Sequence, residues 1–146
     1  MVITAACKKV KVGLLVGYAF FALAITVLDR EPFIGTHFQP QLLWSWSVPR
    51  LRDQIIMNVV GFMPVGFLLA STLRGICGND RSMWLAIPLA ALFSLSIELL
   101  QLVTSRGLFE FDDILHNSLG TVIGVGIFIA FRSLLSSTSV VDGVTE

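Results

Sequence analysis

Residues 109–120 read FEFDDILHNSLG, and TVIGVGIFIAF follows at 121–131. The junction of these stretches decides the fold. The second is as apolar as a lipid tail, yet Asp112 and Asp113 stand side by side at its entrance, and His116 and Asn117 lie just inside it. The rest of the chain shares this character. Of 146 residues, 55% are hydrophobic and 14% charged, with a mean hydropathy of +0.83. A soluble domain carries about 25% charged residues. One core of this size cannot hide so much apolar surface, so the excess must face lipid.

Several classes fall away at once. The formal net charge is zero, so no basic field invites nucleic acid, and no nucleic-acid-binding motif is present. Cys7 and Cys77 fit neither a metal cluster nor a disulfide framework. Cys7 follows TAA, faintly like a lipoprotein cleavage site, but no apolar stretch precedes it.

Charge-free runs locate the membrane helices at Val12–Leu28, Gln54–Leu73, Ser82–Ile97 and Ile114–Phe131. About 20 apolar residues cross a bilayer. The third run is short unless Glu98 is admitted, after which it reaches Ser105. The expectation is an all-α membrane protein of one domain, with helices near 12–28, 54–73, 82–105 and 114–131 arranged as two hairpins. A Ser/Thr-rich stretch, 133–146, reads as a flexible tail. Lys8, Lys9 and Lys11 before the first run also suit a signal peptide, with Ala22-Leu23-Ala24 as cleavage site. The apolar run continues through Leu28, which suits an anchor better.

Four crossings put Lys8, Lys9, Lys11, Arg74, Arg81 and Arg132 on one side and Arg30, Arg50, Arg52 and Arg106 on the other. Asp29, Glu31, Asp53, Glu110, Asp112 and Asp113 join the side with fewer cations. The bias makes the amino terminus cytoplasmic and the acidic side outward. The outer loop from Asp29 to Asp53 contains Leu42-Leu43-Trp44-Ser45-Trp46. It is too short to span, and Trp favours the interface, so a short interfacial helix is expected there. The same segment also suits a substrate lip. His37 lies in this loop with no evident role.

Asp53-x-Ile55-x-x-Asn58-x-x-Gly61 recurs 59 residues later as Asp112-x-Ile114-x-x-Asn117-x-x-Gly120. The echo suggests two hairpins related by a pseudo-twofold axis along the membrane normal. Helical spacing puts Asp113, His116, Asn117, Gly120 and Gly124 on one stripe. Gly120 and Gly124 form a small-xxx-small track, which also suits oligomerisation. Ser94, Glu98, Gln101 and Ser105 share a face of the third helix, and Gln54, Asn58, Gly61 and Val65 one of the second.

Each polar residue has a structural reading. Asp53 and Asp112 stand where an N-cap belongs. Asn58 and Asn117 suit hydrogen bonds between helices, His116 an inward polar filler, and Pro64 a kink. Glu98 resists such a reading, since a carboxylate near the centre of a span costs roughly 2.5–3.5 kcal/mol. It must be paired, protonated or wet, with Arg106 the first expected partner and Arg52 the second.

Taken together, Asp53…Asn58…Pro64-Val65-Gly66, Ile97-Glu98-Leu99-Leu100-Gln101, Arg106 and Asp112-Asp113…Asn117-Ser118-Leu119-Gly120 resemble the VanZ-like membrane protein family. The resemblance runs from about Arg52 to Gly126. It implies a small multi-pass protein of the bacterial inner membrane, in a family whose named member is associated with low-level teicoplanin resistance. By this likeness, together with Arg52 as a second cation, the candidate binding residues are Arg52, Asp53, Asn58, Glu98, Gln101, Arg106, Asp112, Asp113, Asn117 and Gly120.

The first functional expectation is a non-enzymatic protein that binds or shields a lipid-linked or peptidoglycan-related ligand at the outer leaflet. Arginine would meet its phosphate or carboxylate. The second is a membrane-embedded enzyme, with Asp112 or Asp113 as base and Glu98 as protonated partner, or with carboxylates holding a divalent cation. Against it, the sequence has no nucleophile–base pair, no Gly-rich phosphate loop and no His-rich metal motif, so neither cofactor nor resident metal is expected. The third is a transporter subunit, which four helices would serve only as an oligomer. A purely structural or assembly role completes the set.

Overall fold

The four charge-free runs become four long helices because a backbone in hydrocarbon must satisfy its polar groups within its own segment. The computed structural model describes residues 2–32, 34–35, 38–39 and 41–142. Helix α1 is Val2–Leu23, α2 Arg52–Cys77, α3 Ala86–Thr104 and α4 Phe111–Asp142. Four spans, within 8–28, 49–77, 80–104 and 111–136, are long and apolar enough to cross a membrane. The chain is therefore a multi-pass, all-α membrane protein. His37 and the side chain of Cys7 lie outside the described residues.

The helices extend beyond the windows bounded by charge, because a charged residue at a span's end reaches water without breaking the helix. α4 runs past Phe131 to Asp142, so the stretch expected as a tail is helical to that point. Neither Pro nor Gly occurs between Phe131 and Gly143 to stop it. Pro64 lies within the continuous helix α2. That helix ends at Gly78, whose φ of 71° allows its N–H to donate to the Arg74 carbonyl at 2.9 Å. Asn79 caps the next turn, with its side-chain oxygen accepting the Ser82 N–H at 2.9 Å. After α1 the chain continues as a π-helical turn, Ala24–Leu28.

The loop joining α1 to α2 contains two 3-10 turns, Ser45–Ser47 and Pro49–Leu51, in place of one interfacial helix. The same loop forms a short parallel pairing of β1, Phe38–Gln39, with β2, Phe109–Glu110. Phe38 stacks on Phe109 at a centroid distance of 5.3 Å. This pairing is absent from the sequence expectation because two-residue strands leave no periodicity to read.

The tightest seam lies between the parallel helices α2 and α4. A Cβ on Gly120 would stand 2.1 Å from the Val59 carbonyl oxygen, and one on Gly124 2.1 Å from that of Met63. Only glycine permits so close a backbone approach. The Gly120–Gly124 track is thus occupied within the chain. α1 and α3 flank this pair. One apolar cluster joins Val27, Phe62, Val65, Ala90 and Ile97, and a second joins Ala70, Met83, Ala86, Val125 and Phe128.

Candidate functional site

The carboxylates gather where the ends of α2, α3 and α4 meet the α1–α2 loop. Asp112 has no exposed surface. It lies inside α4 rather than capping it, and holds the loop instead. Its Oδ1 accepts the N–H of Leu43, and its Oδ2 accepts the Ser45 N–H at 2.9 Å together with the Ser45 hydroxyl. Leu43 adopts a φ of 59°, an uncommon backbone for a leucine, at this point. One turn on, His116 Nε2 accepts the Trp46 indole N–H at 3.0 Å, so the neutral ring carries its proton on Nδ1. The i, i+4 pair Asp112 and His116 therefore binds the Leu43–Trp46 segment to α4.

Asp113 faces another way. Gln54 Nε2 lies 3.2 Å from Asp113 Oδ1 and 3.2 Å from Glu110 Oε2, bridging the two carboxylates. Asn58 lies close enough to act on the Asp113 charge, although its amide nitrogen is buried with no hydrogen-bond partner. Glu98, 1% exposed, accepts the backbone N–H of Glu110 at 2.9 Å through Oε2. β2 thus brings Glu110 between Glu98 and Asp113. Burial pushes the Glu110 carboxyl up to about 7; the charges of Asp113 and Asp112 add to this, while Gln54 and Arg30 oppose it.

The expected pairing of Glu98 with Arg106 is not formed. Arg106 Nη1 donates to the carbonyls of Leu28 at 2.7 Å and Arg30 at 3.2 Å, satisfying the end of the π-helical turn. Arg30, not predicted from the sequence, lines the same cleft as Glu110 and Asp113. Arg52 and Asp53 are exposed on the first turn of α2 and stand apart from the cluster, and Leu51 occupies the N-cap position. The echo between Asp53 and Asp112 therefore does not extend to environment, since only Asp112 has a loop packed over it.

Deeper in the bundle, Asn117 Nδ2 donates to Ser94 Oγ at 2.8 Å, joining α4 to α3. Gln101 Nε2 donates to the Thr26 carbonyl at 2.9 Å, joining α3 to the π-helical turn. Gly120 serves the helix seam, facing Val59 and Phe62 of α2.

Beside Glu110 and Asp113 opens a cleft of ≈ 380 Å³, also lined by Arg30, Glu31, Gln54 and Arg106. It offers two cations, three carboxylates and an amide to one small polar ligand. Among the described residues, no three His, Cys, Asp or Glu side chains are placed to hold a metal ion. The structure brings Glu98, Asn58, Asp113 and Arg106 to this region and ties Asp112 to the loop beside it. Glu110, Gln54 and Arg30 join them, although sequence reasoning assigned none of the three to the site. Gln54 carried one usable signal, its place on the Asn58 stripe. Glu110 had only its nearness to Asp112.

The family model described as VanZ/LLP1 matches residues 12–132. Neither a curated protein nor a solved structure matches the chain.

Proposed function

The chain belongs to the VanZ-like family, and from that premise we propose that it is a cell-envelope binding protein whose polar cleft holds or shields a lipid-linked or peptidoglycan-related ligand. One observation carries the reading: Arg30 and Arg106 line the same cleft as Glu110 and Asp113, at the end of a bundle whose flanks are apolar. Such a cleft suits a ligand bearing a phosphate or carboxylate together with amide or ammonium donors. Guanidinium meets the anion, and the carboxylates accept from the donors. In this reading the acidic end faces outward from a bacterial inner membrane, beside the Trp46 loop. A contribution to teicoplanin-type resistance follows if the ligand is the antibiotic's target.

The chemistry offered is recognition. Asp112, the first base candidate, spends both oxygens on Leu43 and Ser45. Catalysis would therefore have to pass through Glu110 and Asp113, which share the Gln54 amide.

The test uses the purified protein in nanodiscs, with a lipid-linked peptidoglycan precursor added and thermal unfolding recorded. The precursor raises the wild-type Tm, and Arg30→Gln, an exposed rim variant, weakens apparent affinity by about tenfold, the equivalent of one charge-assisted contact. The precursor is recovered chemically unchanged. Absence of any shift with wild type rejects the reading, and recovery of a cleaved product replaces binding with catalysis. Teicoplanin susceptibility of cells carrying wild type or Arg30→Gln tests the resistance link separately.

A further inference from the structure

At the other end of α2, 20 or so residues from the carboxylate cluster, the seam between α1 and α2 opens into a second cavity of ≈ 320 Å³. Lys8 and Lys11 reach it from α1, and Thr72, Arg74 and Gly75 from α2. Arg74 is already engaged, with Nε 2.9 Å from Asp80 Oδ1. Among the described residues Lys8 and Lys11 form no salt bridge, so the cavity has two cations free to meet an anion.

Thr72 supplies an independent observation. The residue is 7% exposed, yet its buried hydroxyl has no hydrogen-bond partner. Four hydroxyls elsewhere turn back onto the carbonyl four residues earlier: Thr26 onto Ala22, Thr104 onto Leu100, Ser118 onto Ile114 and Thr121 onto Asn117. Thr72 does not, and it lines the cavity.

The same seam continues as an apolar groove of ≈ 310 Å³, lined by Leu15, Val16 and Ala19 of α1, Val65 and Leu69 of α2, and Phe93 of α3. Leu15 is one turn beyond Lys11, and Leu69 nearly one turn from Thr72. At 1.5 Å per residue, the groove thus begins within a few ångströms, along the helix axes, of the basic cavity. A free phosphate would use the cavity alone. A molecule with a charged head and an acyl chain would use both.

We infer that the α1–α2 seam is a binding site for an anionic phospholipid, whose phosphate is held by Lys8, Lys11 and the Thr72 hydroxyl while one acyl chain lies along the Leu15–Ala19 groove. Basic cavities between membrane helices, at the level of the headgroups, are suited to such lipids. The site lies apart from the carboxylate cleft and does not depend on its ligand.

Native mass spectrometry of the protein released from mixed phosphatidylglycerol and phosphatidylcholine nanodiscs tests this. Wild type retains phosphatidylglycerol in preference to phosphatidylcholine. The double variant Lys8→Gln/Lys11→Gln loses that preference by about tenfold, and Thr72→Val, which keeps the shape, reduces it by a smaller factor. Lys9→Gln removes a neighbouring charge that does not line the cavity and leaves the preference unchanged. Equal retention of the two lipids by wild type overturns the inference. So does an equal loss in Lys9→Gln, which marks diffuse surface attraction, or no loss in Thr72→Val. Inorganic phosphate alone, added to protein in neutral detergent, gives little thermal stabilisation compared with phosphatidylglycerol. Equal stabilisation overturns the lipid assignment in favour of a free anion.

Discussion

Asp112 and Ser45, 67 residues apart in sequence, meet through two hydrogen bonds to one carboxylate oxygen, the Ser45 N–H at 2.9 Å and its hydroxyl. With the Leu43 N–H on the other oxygen, this fully buried side chain organises the loop beside the carboxylate cleft. Removing it leaves the two buried Ser45 donors without an acceptor.

Asp112→Ala is expected to lower stability by about 1–3 kcal/mol, the cost of an unsatisfied buried polar group, and to expose the Leu43–Trp46 segment. Asp112→Asn keeps an acceptor and falls between. Limited proteolysis in the 41–51 loop and Trp fluorescence would check this; unchanged cleavage in Asp112→Ala would show that the loop is held by other contacts.

Glu98 is an acceptor for the Glu110 N–H and not the partner of an arginine. Glu98→Gln is therefore expected to keep near-wild-type abundance and Tm, because its amide oxygen also accepts. Glu98→Leu orphans the Glu110 N–H and costs about 1–3 kcal/mol. Membrane abundance and thermal unfolding of both variants decide the matter, and equal losses in the two would restore an ion-pair role.

The Glu110 carboxyl is raised to about 7 from an ordinary value of 4.5. Between those values the folded state binds a proton that the unfolded state has released, so stability falls as pH rises through this window. It is flat below about 4.5 and flat again above about 7 as far as Glu110 is concerned. Tm measured from pH 4.5 to 8 in nanodiscs should decline over this interval, and Glu110→Gln should flatten the slope. A slope unchanged in Glu110→Gln would assign the titration elsewhere.

Gly120 and Gly124 differ from Gly126 in what a methyl group would meet. A Cβ at either of the first two collides with α2 backbone oxygen, whereas at Gly126 nothing lies within 4 Å. Gly120→Ala and Gly124→Ala are expected to destabilise by about 1–3 kcal/mol or to prevent folding, as overpacking does. Gly126→Ala should be neutral or stabilising by up to about 0.5–1 kcal/mol, through helix propensity. Detergent-solubilised Tm values across the three would show whether the α2–α4 seam is as close as described.

Legibility varied with the range of the interaction. The stripe reading aligned Asp113 with His116, Asn117, Gly120 and Gly124, and Asn117 and both glycines do face neighbouring helices. Periodicity along one helix is a local property and therefore readable. It could not say that Asp112 and His116 would face the α1–α2 loop while Asp113 faced Gln54, because that division depends on where the loop returns. Arg106 drew attention as the cation nearest Glu98 in sequence, yet its guanidinium serves the Leu28 carbonyl. Proximity in sequence carried no information about the competing acceptor.

By itself, the sequence determined the solvent, the number of spans and the family resemblance, because hydrophobic run length and motif spacing are set residue by residue. Tertiary structure alone decided that α2 and α4 form the closest seam, that Glu110 enters the carboxylate cluster through β2, and that Arg30 and Arg106 share its cleft. Each of these depends on segments tens of residues apart arriving at one place. Their meeting is governed by packing, and by the need to satisfy buried polar groups across elements, for which a linear pattern carries no signature.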